Sequence, residues 1–239
     1  MLGTTGTPPV GFVIRIPVFM YHRIAPDSEI GRSLPGLVVT PARFAAQMAA
    51  LQRAGWTTIT ARELADDLAA GRRPPRHSFV LTFDDGHVDG YTHAFPILQK
   101  YGFVGSFYVI TNRIGHTGYL TPAQLRTMAA AGMEIASHTM GHVDLTLQSS
   151  TSVRSQLGGS ARAIRAAVGV RPITLAYPFG KWNRGLATPL TATGYRIAFI
   201  EGGTCARVTW STRFAVARLR VERWTSVASP LARARACSG

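Results

Sequence analysis

Two short segments of this 239-residue chain carry residue types that do chemistry. The first is Thr82-Phe83-Asp84-Asp85-Gly86, where the apolar run Ser78–Phe83 stops at two carboxylates and a glycine. Adjacent carboxylates delivered by a buried segment repel unless a cation lies between them or one keeps its proton. Asp-Gly is also a common turn dipeptide, which is the plain alternative. The chain contains its own control: Asp66-Asp67 falls within a helical stretch and reads as a solvated face. The second segment is His138-Thr139-Met140-Gly141-His142, which follows the apolar run from Met133. Two histidines four apart meet on one helical face or in one tight turn, the spacing that chelates a single ion. Two His and one carboxylate make a catalytic metal site with open positions, and equally the facial triad of a non-haem iron oxygenase. The second Asp favours a hydrolase, which needs a base beside the ligand where an oxygenase does not.

Short apolar runs alternate with helix-like stretches around these segments. Strands are predicted over 15–21, 57–59, 78–83, 104–110, 133–136, 173–177, 195–200 and 215–221. Helices are predicted over 41–54 after a Thr40 cap, 61–70 after Thr60 with Glu63 placed for a capping box, 89–101, 121–131 with Pro122 first and Gln124 third, and 153–168. Such alternation argues for parallel βαβ units. Seven or eight strands in one domain suggest a closed or nearly closed barrel, with an open doubly wound sheet as the alternative. No GxGxxG follows the first strand, which counts against dinucleotide binding. In either architecture the C-terminal strand ends hold the active site, where Asp84-Asp85 and His138–His142 fall.

TFDDG followed by HTMGH resembles the first two motifs of the polysaccharide deacetylases, carbohydrate esterase family 4 or the NodB homology domain. Ala176-Tyr177-Pro178-Phe179-Gly180 resembles the third, and the likeness runs from about Ile16 to Val221. The fold it implies is α/β: a single-domain distorted (β/α) barrel, here with an early acid-bearing strand. Carried over residue by residue, Asp84 matches the catalytic base, and Asp85, His138 and His142 match the ligands of one divalent metal ion such as zinc. The ion would polarise an acetyl carbonyl and lower the pKa of a water. Tyr177, Phe179 and Tyr21 are expected to contact substrate, with a backbone N–H near Phe179 at the oxyanion. A xylan O-acetyl esterase is a close variant, and a non-catalytic carbohydrate- or anionic-polymer-binding protein on the same fold is the alternative, against which the intact Asp84 argues.

The chain departs from the usual pattern in its second half. No His follows His142, no Asp follows Asp144, and Ala176 stands where an Arg is usual. Pro17–Ile24 (PVFMYHRI) instead resembles the rearranged branch of the family, the poly-N-acetylglucosamine deacetylases, whose acid-bearing strand precedes TFDDG. His22 would then be the general acid, and Arg218 or Arg220 would orient Asp84, Arg218 being preferred. His87 and Asp89 are expected to line the cleft; His77, His93 and His116 to be surface or structural. Trp182 and Trp224 are read as core residues in preference to sugar platforms.

Bulk properties set the outer limits. With 46% hydrophobic and 16% charged residues, the chain is not disordered, and no apolar run could span a bilayer. The formal charge of +14 is nearly all Arg, with clusters at 72–76, 213–223 and 233–235. It admits contact with anionic envelope polymers, although a scattered surplus also follows from an Arg-rich genome. The expected partner is an acetylated glycan, not nucleic acid. Cys205 and Cys237 form either one disulfide or two thiols. Residues 1–14 read as a flexible lead-in, 15–225 as the domain and 226–239 as a tail. Met1–Pro9 lacks the look of a secretory signal, which leaves the cytoplasm, another export route or a signal beyond these residues; the family resemblance implies the cell envelope.

Overall fold

Eight parallel strands form the central sheet: β1 (Val18–Tyr21), β2 (Thr57–Ile59), β3 (Ser78–Phe83), β4 (Ser106–Val109), β5 (Glu134–Ser137), β6 (Thr174–Ala176), β7 (Ile197–Glu201) and β8 (Val216–Arg220). The computed structural model describes residues 8–29 and 35–237. Seven of these strands close into a ring in the order β1–β8–β7–β6–β5–β4–β3, with β3 pairing back onto β1. β2 is hydrogen-bonded to the lower half of β3, opposite Ser78–Val80. The barrel expected from the alternation is therefore present, and the open sheet is not.

Strand alternation decides what each residue faces. Val18, Val80, Tyr108, Ala136, Ala176, Phe199 and Val216, one from each ring strand, pack together inside the barrel. Phe19, Leu81, Phe83, Phe107 and Leu219, of the opposite parity, face outward into a second cluster shared with the helices. Those helices are α1 (Pro41–Arg53), α2 (Ala61–Ala70), α3 (Phe95–Lys100), α4 (Pro122–Ala130), α5 (Ser150–Val168), α6 (Ala187–Ala192) and α7 (Ser229–Cys237). Thr40 caps α1, and the Thr60/Glu63 and Thr121/Gln124 boxes cap α2 and α4 as their sequences predict. The stretch 89–101 is one helix with a difference: a π-helical turn at Gly90–Ala94 precedes α3.

α2 plugs the floor of the barrel, with Leu64, Ala65 and Leu68 joining the interior cluster. Glu134 is buried at the same end. It accepts hydrogen bonds from Ser106 Oγ at 2.7 Å, Thr174 Oγ1 at 2.7 Å and the Arg62 N–H at 2.9 Å. The stretch read as a tail holds α7, whose Ala234 is buried in the outer cluster and whose Cys237 is disulfide-bonded to Cys205. Of the lead-in, residues 1–7 lie outside the described residues, and Ile14–Ile16 forms a strand antiparallel to Ala206–Val208.

Candidate active site

The inward parity of the ring strands continues past their C-terminal ends. Thr82 faces inward, so Asp84 does; Ala136 does, so His138 does; Val216 does, so Arg218 does; and Val18 and Met20 lead to His22. These side chains converge at the barrel mouth.

Asp85, His138 and His142 offer ligand atoms that all lie within 4.8 Å of one another. Each histidine Nε2 is 3.5 Å from Asp85 Oδ1. His138 Nδ1 lies 2.8 Å from the Ala176 carbonyl. Only a protonated Nδ1 can donate to that carbonyl, which leaves Nε2 free as a ligand. The donor set of two imidazoles and one carboxylate, with no fourth protein ligand in the cluster among the described residues, fits a divalent ion with open positions.

Backbone strain is concentrated here. Five non-glycine residues have positive φ among the described residues, and four are Asp85 (76°), Thr139 (66°), His142 (54°) and Phe179 (60°). Such conformations persist when surrounding contacts over-determine them. Gly86 permits the turn after Asp85: a Cβ there would come within 2.9 Å of Val109. The histidine loop is pinned from α5, where Gln156 Oε1 accepts from the Met140 and Gly141 N–H groups at 3.0 Å each. Met140 also fills the space left by Gly159, where a Cβ would collide with its sulfur. This loop-to-α5 seam is part of the site's support and carries no motif in the sequence.

Asp84 is buried and forms a bidentate pair with Arg218, both N–H···O distances being 2.7 Å. Arg218 also donates to Thr82 Oγ1 and the Ile200 carbonyl. Burial works to raise the Asp84 pKa, but the charges of Arg218 and His138 and the Arg218 hydrogen bonds outweigh it and hold the carboxyl below its usual range. Arg220, one turn of the pleat further out, pairs with Glu201 and Glu222 instead.

β1 pairs with β3 so that Tyr21 lies opposite Phe83, and the Asp84 N–H donates to the Tyr21 carbonyl at 3.0 Å. His22 therefore stands level with Asp84. Burial lowers its pKa while the charges of Asp84 and Asp85 push it back up, and its buried Nδ1 has no hydrogen-bond partner among the described residues. Asp89 does not line the cleft. It is buried and holds the chain just after His22, accepting from Arg23 Nε at 2.7 Å and the Ile24 N–H at 3.0 Å.

Two expected substrate contacts are corrected by strand alternation. Tyr21 faces outward, packed against Phe44 and Phe83, with its hydroxyl donating to Gln47. Tyr177 also faces outward, and its hydroxyl donates to the Phe214 carbonyl. Both are next to inward residues and so point away from the cleft. Phe179 is 57% exposed, its ring 4.7 Å from that of His142, and is placed to meet a ligand. His87 lies 3.8 Å from Asp85 and stacks on Tyr119; both line a cavity of about 510 Å³ that reaches Asp85 and His142. Trp224, read as core, is 66% exposed and its indole N–H donates to Glu222.

A parallel barrel whose strand ends gather an Asp–His–His cluster beside an arginine-paired carboxylate defines a hydrolase of the barrel class. The chain belongs to the polysaccharide deacetylase family, whose profile matches residues 71–198. YxkH of Bacillus subtilis, named as a polysaccharide deacetylase, is 31% identical over 194 residues, covering 81% of this chain and 67% of that protein. The poly-β-1,6-N-acetyl-D-glucosamine N-deacetylase of Staphylococcus epidermidis is 27% identical, covering 75% and 70%. The Streptococcus pyogenes deacetylase PplD, solved with acetate, superposes with a TM-score of 0.85 at 26% identity, covering 92% and 97%.

Proposed function

We propose that this chain removes acetyl groups from acetamido sugars of an envelope glycan, with Asp84 as base, His22 as acid, and one divalent ion, zinc by its donor set, at Asp85, His138 and His142. The observation that carries this reading is the bidentate Arg218–Asp84 pair directly beside the ligand cluster. A divalent ion held there would supply Lewis acidity toward the acetyl carbonyl and a water of lowered pKa. Asp84 takes the proton of the attacking water. Arg218 keeps that carboxylate ionised and fixes its plane, leaving each oxygen a second lone pair for the proton. The backbone at Phe179, turned into the left-handed region, presents its N–H to the carbonyl oxygen as charge grows there. His22 gives a proton to the departing nitrogen, without which an amine is a poor leaving group. The substrate named for the Staphylococcus epidermidis relative, poly-β-1,6-N-acetyl-D-glucosamine, supports action on an acetylated glycan.

Acetate release from a panel of acetylated glycans, with and without a chelator, tests the reading. Release that stops on chelation and returns with added metal is expected. His138→Ala should lose both metal and turnover. No release from any member of the panel by metal-loaded protein, or full metal occupancy in His138→Ala, would overturn it.

A further inference from the structure

At the floor of the barrel, a cavity of about 360 Å³ opens between the strand Ile14–Ile16 and the segment joining α2 to β3. It lies at the end opposite the catalytic cluster, because Ser78 in its wall opens the strand that delivers Asp84. Arg15, Arg73 and Arg76 border it with His77, and among the described residues no Asp or Glu does. Arg15 points outward from its strand, and its partner directly opposite on the antiparallel strand is Arg207. Like charges in that register repel. No carboxylate among the described residues pairs with Arg15, Arg73, Arg76 or Arg207, whereas Arg223 at the mouth and Arg72 beside α2 each have one and Arg220 has two.

The frame holding these cations is stiff. Pro74 and Pro75 fix the backbone before Arg76, and His77 is held at a φ of 58° with its ring 5.2 Å from that of Trp56. Cys237, disulfide-bonded to Cys205, closes another side. Ser78 is buried, and its hydroxyl has no hydrogen-bond partner among the described residues. Three arginines bordering one cavity with no carboxylate among them, of which Arg73 also donates to the Val13 carbonyl, match an oxyanion that accepts several charge-assisted hydrogen bonds. We propose that this cavity binds a phosphate group, as a mono- or diester, and so holds the barrel by its floor while the mouth works on glycan.

The test is calorimetric titration of the metal-loaded chain with inorganic phosphate, against chloride at equal ionic strength. The wild type and Arg15→Gln/Arg76→Gln are compared with Arg162→Gln/Arg165→Gln, which removes equal charge from exposed positions on α5. Phosphate affinity should fall at least about tenfold in the first variant only. Acetate release from a soluble substrate should be unchanged in it. Sedimentation with phosphatidylcholine vesicles, with and without phosphatidylglycerol, separates the sources. Retention on the anionic vesicles that the first variant loses assigns the phosphate to a lipid headgroup; phosphate binding without retention assigns it to a soluble or polymer-borne ester. Three results would overturn the proposal: no preference for phosphate over chloride, equal loss in both variants, or binding unchanged in the first, as for an anion held at the mouth.

Discussion

Glu134 and Asp84 are buried carboxylates at opposite ends of the barrel, and the two are treated in opposite ways. Glu134 at the floor is held by neutral donors, two hydroxyls and a backbone N–H, from three different elements. Asp84 at the mouth is held by one cation on one side. The carboxylate of Glu134 sits in a satisfied network whose product is rigidity. The mouth is left strained and partly unpaired, with four left-handed non-glycine residues and an unpartnered His22 nitrogen. The difference teaches that burial alone does not mark a reactive carboxylate; what matters is whether its partners leave it work to do.

The contrast is sharpest in turnover. Asp84→Asn should cost about a hundred to ten thousand fold in acetate release, since the amide keeps the shape but cannot take the proton. Metal content, read by elemental analysis, should stay at wild-type level. His22→Ala should also lower turnover on N-acetyl substrates by about a hundred fold or more. The loss should shrink on an activated acetyl ester, whose leaving group needs little protonation; equal losses on both substrates would remove His22 from the role of acid.

Stability separates the ends in the other direction. Arg218→Met strands a buried carboxylate and should cost about 3–5 kcal/mol in urea unfolding. Glu134→Gln keeps two acceptor sites at most and should cost about 1–3 kcal/mol while turnover remains near wild type. A turnover loss as large as that of Asp84→Asn would break the comparison. The smallest effect is on acid stability. The folded Asp84 carboxyl lies below its usual range, so its contribution is full above the unfolded value of about 3.9 and is lost as pH falls through the folded value. Asp84→Asn should therefore flatten the dependence of stability on pH below about pH 4, measured by acid titration of the unfolding midpoint.

Much of this arrangement was legible in the sequence, and the failures share a cause. Strand ends and capping boxes are written locally: Thr60-x-x-Glu63, Thr121-x-x-Gln124 and the DDG turn all lie where they were read. The direction of a side chain is not local. Tyr21 and Tyr177 sit beside motif residues but on the opposite parity, so they pack outward. Arg218 and Arg220 share one parity, and only depth in the barrel separates the buried partner of Asp84 from the rim residue that meets Glu201. Asp89 follows the carboxylate pair closely, yet it serves the loop after β1, 65 residues away from it in the chain at Ile24. α7 has few apolar residues at helical spacing, and its place is set by the disulfide and by Ala234 against the outer cluster.

β8, α7 and β1 together form one more β–α–β step around the ring. Leu219 pairs with Phe19, and Ile14, Ile16 and Cys237 border one cavity at the floor. The fold is thus a circle in which each step resembles the last, and the place where the chain is cut is a matter of bookkeeping. Ile16 and Cys237 both border the floor cavity, so a link between these two segments would run along the floor, away from Asp84 and Arg218. A chain begun after β1 would carry His22, the proposed acid, after Asp84, His138 and His142 instead of before them. On the proposed assignment of His22, an acid on an early strand and an acid on a late strand reach one site from two starting points.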